Sequence, residues 1–481
     1  MNIRAVTHII AYLVGVTSLA MLGSAGVSVC YGESSAAWGQ LAAAGVSLLS
    51  AAIAWFATKG TVDLSRRDGF GIAVFGWLFV SVFGALPYLF TGVIASPVAA
   101  VFETMSGYTT TGASVLTDLE SLPRGILFWR AMTHFFGGMG VLVLCVAILP
   151  FLKVGGMQVY RAEVPGPAKD RLTPRIASTA KLLWGAYVLF CILQTVMLML
   201  GGMSLFDSWC HSCATLATGG FSPRTASVGA YDSAYFDIVM IFFMFLAGTN
   251  FALHLRLLRG NPFGYFRDAE FRFYFLFWLG ACLILTFNVW GSTYDSLGKS
   301  LRTAFFQGTS IMTTTGFVTE DFDRWPGVSR MLLVLLMFVG GCAGSTGGGV
   351  KNIRVLTGIK ALFREIHIYM RPDAVKAVKI GGQTVKNQAV SNICAFLLIF
   401  VLLFAAGSLA MTPFTPDLGT AASSTIACLG NIGPGLNAVG ATQNYASIPA
   451  TGQSILIVLM LLGRLELYTV LVILVPSFWK K

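Results

Sequence analysis

The sequence predicts an all-α polytopic membrane protein: four parallel helix–re-entrant pore loop–helix repeats in a pseudo-fourfold arrangement, plus two N-terminal helices. Three observations carry this reading. Of 481 residues, 56% are hydrophobic and 11% charged, against about 25% charged in ordinary soluble domains. Apolar windows long enough to cross a bilayer recur along the whole chain. Between them, four times, a shorter apolar segment ends in a polar tetrad centred on glycine: Thr110-Thr111-Gly112-Ala113, Thr218-Gly219-Gly220-Phe221, Thr314-Thr315-Gly316-Phe317 and Asn431-Ile432-Gly433-Pro434.

The first two windows, near 5–29 and 36–58, have no tetrad and lie outside the repeat. The first lacks a small-x-small cleavage site and reads as a retained helix, not a signal peptide. The repeats follow as window pairs near 70–94 and 125–152, 177–201 and 235–258, 271–290 and 328–350, and 389–411 and 453–477. The chain therefore divides into 1–68 (extra helices), then repeats at 69–160, 161–262, 263–370 and 371–481. Between the members of each pair lies a segment too short to span, as a re-entrant half-helix would be.

The net charge is +11. Arg4, then Lys59, Arg66 and Arg67, then Lys153, Arg161, Lys169, Arg171, Arg175 and Lys181 mark alternate loops. Arg256, Arg259, Arg267 and Arg272 follow, and the longest basic loop carries Lys351, Arg354, Lys360, Arg364, Arg371, Lys376, Lys379 and Lys386 before the Lys480-Lys481 tail. The intervening loops hold Glu33, Asp118, Glu120, Asp232, Glu320, Asp321 and Asp323. Such alternation sets orientation: both termini are expected on the cytoplasmic side, with every short segment dipping in from outside. All four repeats then point the same way, unlike inverted-repeat transporters. The same distribution argues against nucleic acid as a partner. Nine cysteines, mostly in apolar segments, give no disulfide framework, and Cys210-His211-Ser212-Cys213 lacks a second cluster to complete a zinc site. The five histidines, His8, His134, His211, His254 and His367, form no His-Glu-x-x-His pair, and no Gly-x-Ser-x-Gly elbow is present. An enzyme is not expected.

Non-helical backbone at membrane depth must line a cavity or lie against protein. Four glycine tetrads at equivalent positions suit the walls of an ion filter, in which backbone carbonyls replace a cation's water shell. The expected ligands are Thr110, Thr111 and Gly112; Thr218, Gly219 and Gly220; Thr314, Thr315 and Gly316; and Asn431, Ile432 and Gly433. An uncharged carbonyl ring favours a large, weakly hydrated cation, K⁺ over Na⁺. Nine residues before each filter glycine stand Glu103, His211, Gln307 and Ser424, polar groups expected to hydrogen-bond behind the loops. Each second window carries a glycine, Gly138, Gly248, Gly341 and Gly463, read either as a close-packing position or as space beside the pore. Arg464 is an intramembrane charge, expected to face the bundle interior and to raise a barrier below the filter. Arg130, nearer the outside, reads as a structural brace or a snorkelling residue. The run Gly340-Gly341-Cys342-Ala343-Gly344-Ser345-Thr346-Gly347-Gly348-Gly349 cannot hold a regular helix cheaply and lacks the Gly-Lys-Ser/Thr of a phosphate loop. It is expected to be a mobile plug beneath the filter.

The run Phe135-Phe136-Gly137-Gly138-Met139-Gly140, the loop Gln158-Val159-Tyr160-Arg161-Ala162-Glu163 with Pro165-Gly166-Pro167, the stretch from Gly340 to Lys351, Asn431-Ile432-Gly433-Pro434-Gly435 and Gly463-Arg464-Leu465-Glu466 closely resemble the membrane subunits of bacterial Trk potassium-uptake systems. These share their fourfold plan with Ktr and plant high-affinity potassium transporters. The resemblance spans essentially the whole chain. It implies K⁺ uptake across the bacterial inner membrane, with K⁺ as transported ion and no cofactor bound by this chain. It also implies a homodimer, a cytosolic nucleotide-binding regulatory subunit, and restriction of conduction by 340–349 and Arg464. One departure stands out: Thr218-Gly219 occupies a place where relatives carry a bulkier residue before the paired glycines. The alternative is a transporter of K⁺ or another monovalent cation coupled to H⁺ or Na⁺, such as a symporter.

Overall fold

The computed structural model describes residues 1–60, 65–147, 172–261 and 263–479. The loop motif at 158–167, the end of the fourth window and the terminal lysine pair lie outside the described residues. Among the described residues, six helices are long and apolar enough to cross a membrane, and up to eight if two bent pairs each count as one span.

Ile3–Cys30 and Ser34–Ala57 form an antiparallel hairpin joined through Gly32, whose φ of 75° only glycine adopts readily. Their shared face is built of small residues, Ser18, Ser24 and Ala25 against Ala43, Ala44, Ser47 and Ala51, all buried, the composition that lets membrane helices approach closely. Asp68 ties this pair to the first repeat: it accepts from the Asn2 amide at 2.6 Å and closes a capping box with Ser65.

Each repeat then supplies an outer helix, a half-helix, an extended loop and an inner helix. The half-helices are Pro97–Tyr108, Leu205–Leu216, Leu297–Met312 and Leu418–Leu429. Ser96, Ser204 and Asp417 cap three of them by accepting from amides three residues on. The Thr420 hydroxyl and amide hold the Asp417 carboxyl below its usual range.

The sequence reading places a break in the third inner helix, at the glycine run; the second and fourth inner helices break as well. Ala234–Ala247 and Phe251–Leu258 meet at 102°, and Ala450–Arg464 and Tyr468–Leu474 at 117°. In the second repeat Asn250 restarts the helix by capping the Ala252 amide, while the freed Phe251 amide donates to Gly344 of the third repeat. In the fourth, Glu466 and Leu467 take positive φ values of 61° and 24°. The third inner helix stops at Val339, and the chain resumes as Asn352–Met370. Arg124–Ala147 alone runs unbroken to the edge of the described residues. One small strand pair, Lys379–Ile380 with Gln383–Thr384, turns through Gly381-Gly382 in the basic loop, both at positive φ as a tight hairpin requires.

Candidate functional site

All four half-helices end four residues before the tetrad glycine, with the same cap. Thr110 N donates to Gly107 O and Thr111 N to Ser106 O; Thr218 N to Thr215 O and Gly219 N to Ala214 O. Thr314 N donates to Ile311 O and Thr315 N to Ser310 O; Asn431 N to Cys428 O and Ile432 N to Ala427 O. This is the Schellman arrangement, in which a left-handed residue turns the chain out of the helix. That residue is usually glycine. Here it is Thr110, Thr218, Thr314 or Asn431, with φ of 50°, 54°, 61° and 53°. A β-branched residue in this region is an outlier and costs about 1–3 kcal/mol. Two residues on, Gly112, Gly220, Gly316 and Gly433 are again at positive φ (82°, 78°, 82° and 100°). The strain is repeated at identical positions, so it belongs to the design of the loops and not to one local packing accident.

The loops meet in a closed ring. A Cβ placed on Gly112 would stand 2.1 Å from Gly219 O; on Gly220, 2.1 Å from Thr315 O; on Gly316, 1.9 Å from Ile432 O; and on Gly433, 2.7 Å from Thr111 O. Each wall's glycine therefore abuts a carbonyl of the next wall in chain order, and the fourth returns to the first. All four glycines line one cavity of about 150 Å³, open outward through Ser114, Ser222 and Asn444. Any side chain at these positions would collide with neighbouring backbone, which explains glycine more fully than φ alone.

Of the four polar residues behind the loops, three reach the chain just past the glycine. Glu103 accepts from Ser114 Oγ at 3.0 Å and Val115 N at 2.9 Å. His211 pairs with Ser222 Oγ at 3.1 Å, and Gln307 Nε2 donates to Thr319 Oγ1 at 3.3 Å. Ser424 does not: its hydroxyl stays on its own helix at Ala421 O, and Ser423 instead reaches Leu436 O. The half-helix simply presents a different face there. Arg130 is a brace in full. Its Nε meets Glu103 at 2.8 Å, Nη1 donates to Ser222 O at 3.0 Å, and Nη2 reaches Ser114 Oγ at 3.2 Å. One buried guanidinium thus ties the first wall to the second.

The glycine run lies directly under this ring. Gly348 N donates to Thr314 Oγ1 at 2.6 Å, and a Cβ on Gly348 would sit 2.3 Å from Gly430 O. A Cβ on Gly347 would stand 3.0 Å from Thr313 O. Thr346 Oγ1 lies 2.9 Å from Leu216 O and 3.2 Å from Ala247 O. Gly340, Gly344 and Gly349 have positive φ, Gly341 packs on Gly248 O, and Ser345 Oγ donates to Cys342 O. Arg464 is 4% exposed and Nη1 donates to Thr346 O at 2.7 Å. Its nearby acid, Glu466, is taken by Arg354. Two groups outside the expected set also hold the run: Lys351 Nζ on Gly347 O, and Glu270 Oε1, which accepts from Ala343 N at 2.7 Å and Ile353 N at 3.0 Å, near both ends. Glu270 stands in the first turn of an apolar window, two residues after the capping Asp268, a position from which an acid can face the bundle.

The inner-helix glycines are packing positions. A Cβ on Gly138 would stand 2.8 Å from Ala217 Cα, on Gly248 2.9 Å from Thr313 Cγ2, and on Gly463 2.0 Å from Leu429 O. Among the described residues, no group of three or more His, Cys, Asp or Glu is placed to hold a metal ion. Cys210 and Cys213 are buried with Ala131.

The family model TrkH, described as cation transport protein, matches residues 41–481. The chain is 41% identical over the full length of both chains to the Trk system potassium uptake protein TrkH of Salmonella typhimurium, and 35% identical to TrkG of Escherichia coli over 100% of this chain and 99% of that one. The crystal structure of the potassium transporter TrkH from Vibrio parahaemolyticus superposes with a TM-score of 0.92 at 36% identity, covering both chains completely.

Proposed function

The chain belongs to the TrkH family of cation transport proteins, a multi-pass membrane family, and from that premise we propose that it takes up K⁺ through a filter made by the four tetrads. The ligands in this reading are the carbonyls of Thr110, Thr111, Gly112, Thr218, Gly219, Gly220, Thr314, Thr315, Gly316, Asn431, Ile432 and Gly433. The observation that carries it is the closed ring of glycine-to-carbonyl contacts. A dehydrating site needs carbonyls from several directions around one axis, and a ring closed by backbone alone carries no fixed charge to hold a small ion.

The run 340–349 acts as the gate and Arg464 as its lock. Support comes from the hydroxyl of Thr314, which is bonded to Gly348 N and so engaged by the loop, and from the guanidinium that fixes Thr346. The repeats divide at 1–68, 69–160, 161–262, 263–370 and 371–481. The protein works as a homodimer in the bacterial inner membrane with both termini cytoplasmic, regulated by a nucleotide-binding subunit of its Trk system; the basic loops suit docking from that side. Coupling to H⁺ or Na⁺ is the second reading.

Tracer uptake into liposomes holding the purified chain tests this. Rubidium and K⁺ should enter down their gradients and Na⁺ far less, and Gly316→Ser should narrow that difference. Shortening 344–348 should raise flux. Equal permeation of all three ions in the parent overturns the filter, and unchanged flux on shortening overturns the gate.

A further inference from the structure

The four glycine carbonyls of the ring are not in equal surroundings. Tyr445, from the outer loop of the fourth repeat, donates its phenolic hydrogen to Gly433 O at 2.7 Å. The carbonyls of Gly112, Gly220 and Gly316 receive no hydrogen bond from a described residue. Tyr445 is 2% exposed, its amide donates to Ser114 O of the first repeat at 2.8 Å, and its ring lies 5.5 Å from Phe102 of the first half-helix. It therefore sits on the junction between the fourth wall and the first, where a Cβ on the ring glycine would stand 2.7 Å from the next wall's carbonyl, against 1.9–2.1 Å at the other three junctions. Packing on Phe102 needs only the ring. The hydroxyl adds nothing to that contact, and a buried hydroxyl must find an acceptor. It donates to the filter glycine itself, with the Cys428 thiol also beside it.

We propose that Tyr445 is a specificity-determining residue, whose hydroxyl fixes and weakens the Gly433 carbonyl so that the fourth wall favours the larger cation. This rests on the filter assignment above. A carbonyl oxygen has two lone pairs. A phenol on one of them leaves the other available to an ion but lowers the field it presents. Selectivity depends on the number and field strength of the carbonyls and on how freely they move. A strong, mobile carbonyl closes on a small ion and repays its dehydration; a weakened, tethered one does not. Both consequences of the hydrogen bond act in the same direction, against Na⁺.

The test is the ratio of rubidium to Na⁺ uptake in liposomes. Tyr445→Phe keeps the ring on Phe102 and removes one hydroxyl; the ratio should fall on the order of threefold, a fraction of one net hydrogen bond, with melting temperature near the parent's. A ring-fluorinated tyrosine at 445 is a stronger donor and should raise the ratio, a change of opposite sign that a purely structural role would not produce. An unchanged or raised ratio in Tyr445→Phe overturns the proposal. Should that variant fail to fold, the fluorinated protein decides: a raised ratio supports the proposal and an unchanged or lowered one overturns it. Gly316→Ser separates the two levels. If it narrows selectivity while both changes at 445 are silent, the filter stands and Tyr445 has no part in it; if all three are silent, the filter assignment falls.

Discussion

Walls one and three each carry an internal hydroxyl pair, which walls two and four lack. In the first, Thr109 and Thr111 share a hydrogen bond at 2.8 Å, and in the third Thr313 and Thr315 do the same at 2.8 Å. The equivalent positions are Ala217 and Gly219 in the second wall and Gly430 and Ile432 in the fourth, which have no hydroxyl to pair. The second wall leans on the first repeat's inner helix. A Cβ on Gly219 would stand 2.5 Å from His134 Cε1, and the imidazole stacks on Phe221 at 4.1 Å. The Arg130 guanidinium lies 4.0 Å from the same phenyl ring. The fourth wall leans on Asn431, whose Nδ2 reaches Thr111 Oγ1 and Met460 O, each at 3.0 Å. Backbone geometry is fourfold, but side-chain support is twofold. Since alternate walls face each other across the ring, its two diameters are controlled by different chemistry.

Removing outside support should do the most damage. Glu103→Gln leaves the Arg130 guanidinium buried beside Phe221 without its counter-charge. Breaking one half of a buried pair costs about 3–5 kcal/mol. The variant should show the largest fall in melting temperature in detergent of any single change discussed, together with loss of K⁺ uptake. A fall no larger than that of an exposed pair such as Lys299–Glu320 would mean that the Arg130 cluster does not hold walls one and two together.

The second-largest effect concerns the space behind Gly219. Gly219 lies outside the positive-φ set, and the nearest atoms a side chain there would meet belong to the imidazole. Gly219→Val should overpack the wall by about 1–3 kcal/mol and depress uptake. His134→Ala should restore it in the double variant, because the valine then occupies the vacated space. Recovery shows that the imidazole stands in for a side chain at 219. A double variant no better than Gly219→Val would locate the damage in the loop backbone instead.

Much of this was legible in the sequence, and the parts that were not share a cause. The repeat, the half-helices and the tetrads could be read because each rests on a local rule: span length, glycine position, polar residues in an apolar run. The departure read at Thr218-Gly219 gave no hint of what packs on Gly219, because that group, His134, lies in another repeat. The same holds for Ser423 taking the place of Ser424, for Lys351 and for Tyr445: each acts through a contact set by how segments pack and by which face they present. The breaks in the second and fourth inner helices were hidden for a related reason. Hydropathy does not register a bend that a neighbouring loop induces, as Gly344 does by accepting from the Phe251 amide. Arg464 is buried with Nη1 on a carbonyl of the glycine run, a contact between distant segments, while Arg354 pairs with Glu466.

The smallest effect is also the most exact test of the hydroxyl pairs. Thr313 Oγ1 donates to Thr309 O at 2.8 Å, so in its pair with Thr315 the proton must come from Thr315. Thr313→Val therefore strips a buried donor of its acceptor, whereas Thr315→Val leaves Thr313 still bonded to its own helix. The first should destabilise more, by about 1 kcal/mol, and the double change should recover part of the loss because neither partner is then left unpaired. In the first wall the order should flatten. Thr109 again donates to its helix, at Met105 O, but Thr111 also accepts from Asn431 of the fourth wall. Thr111→Val leaves one of that amide's two N–H groups unpaired, the other staying on Met460 O, so the two single changes should there cost about the same. Measured by thermal unfolding, an unequal pair in wall three beside an equal pair in wall one follows only if the proton runs from Asn431 through Thr111 and Thr109 to Met105. Equal costs in both walls would mean the hydroxyl pairs merely fill space.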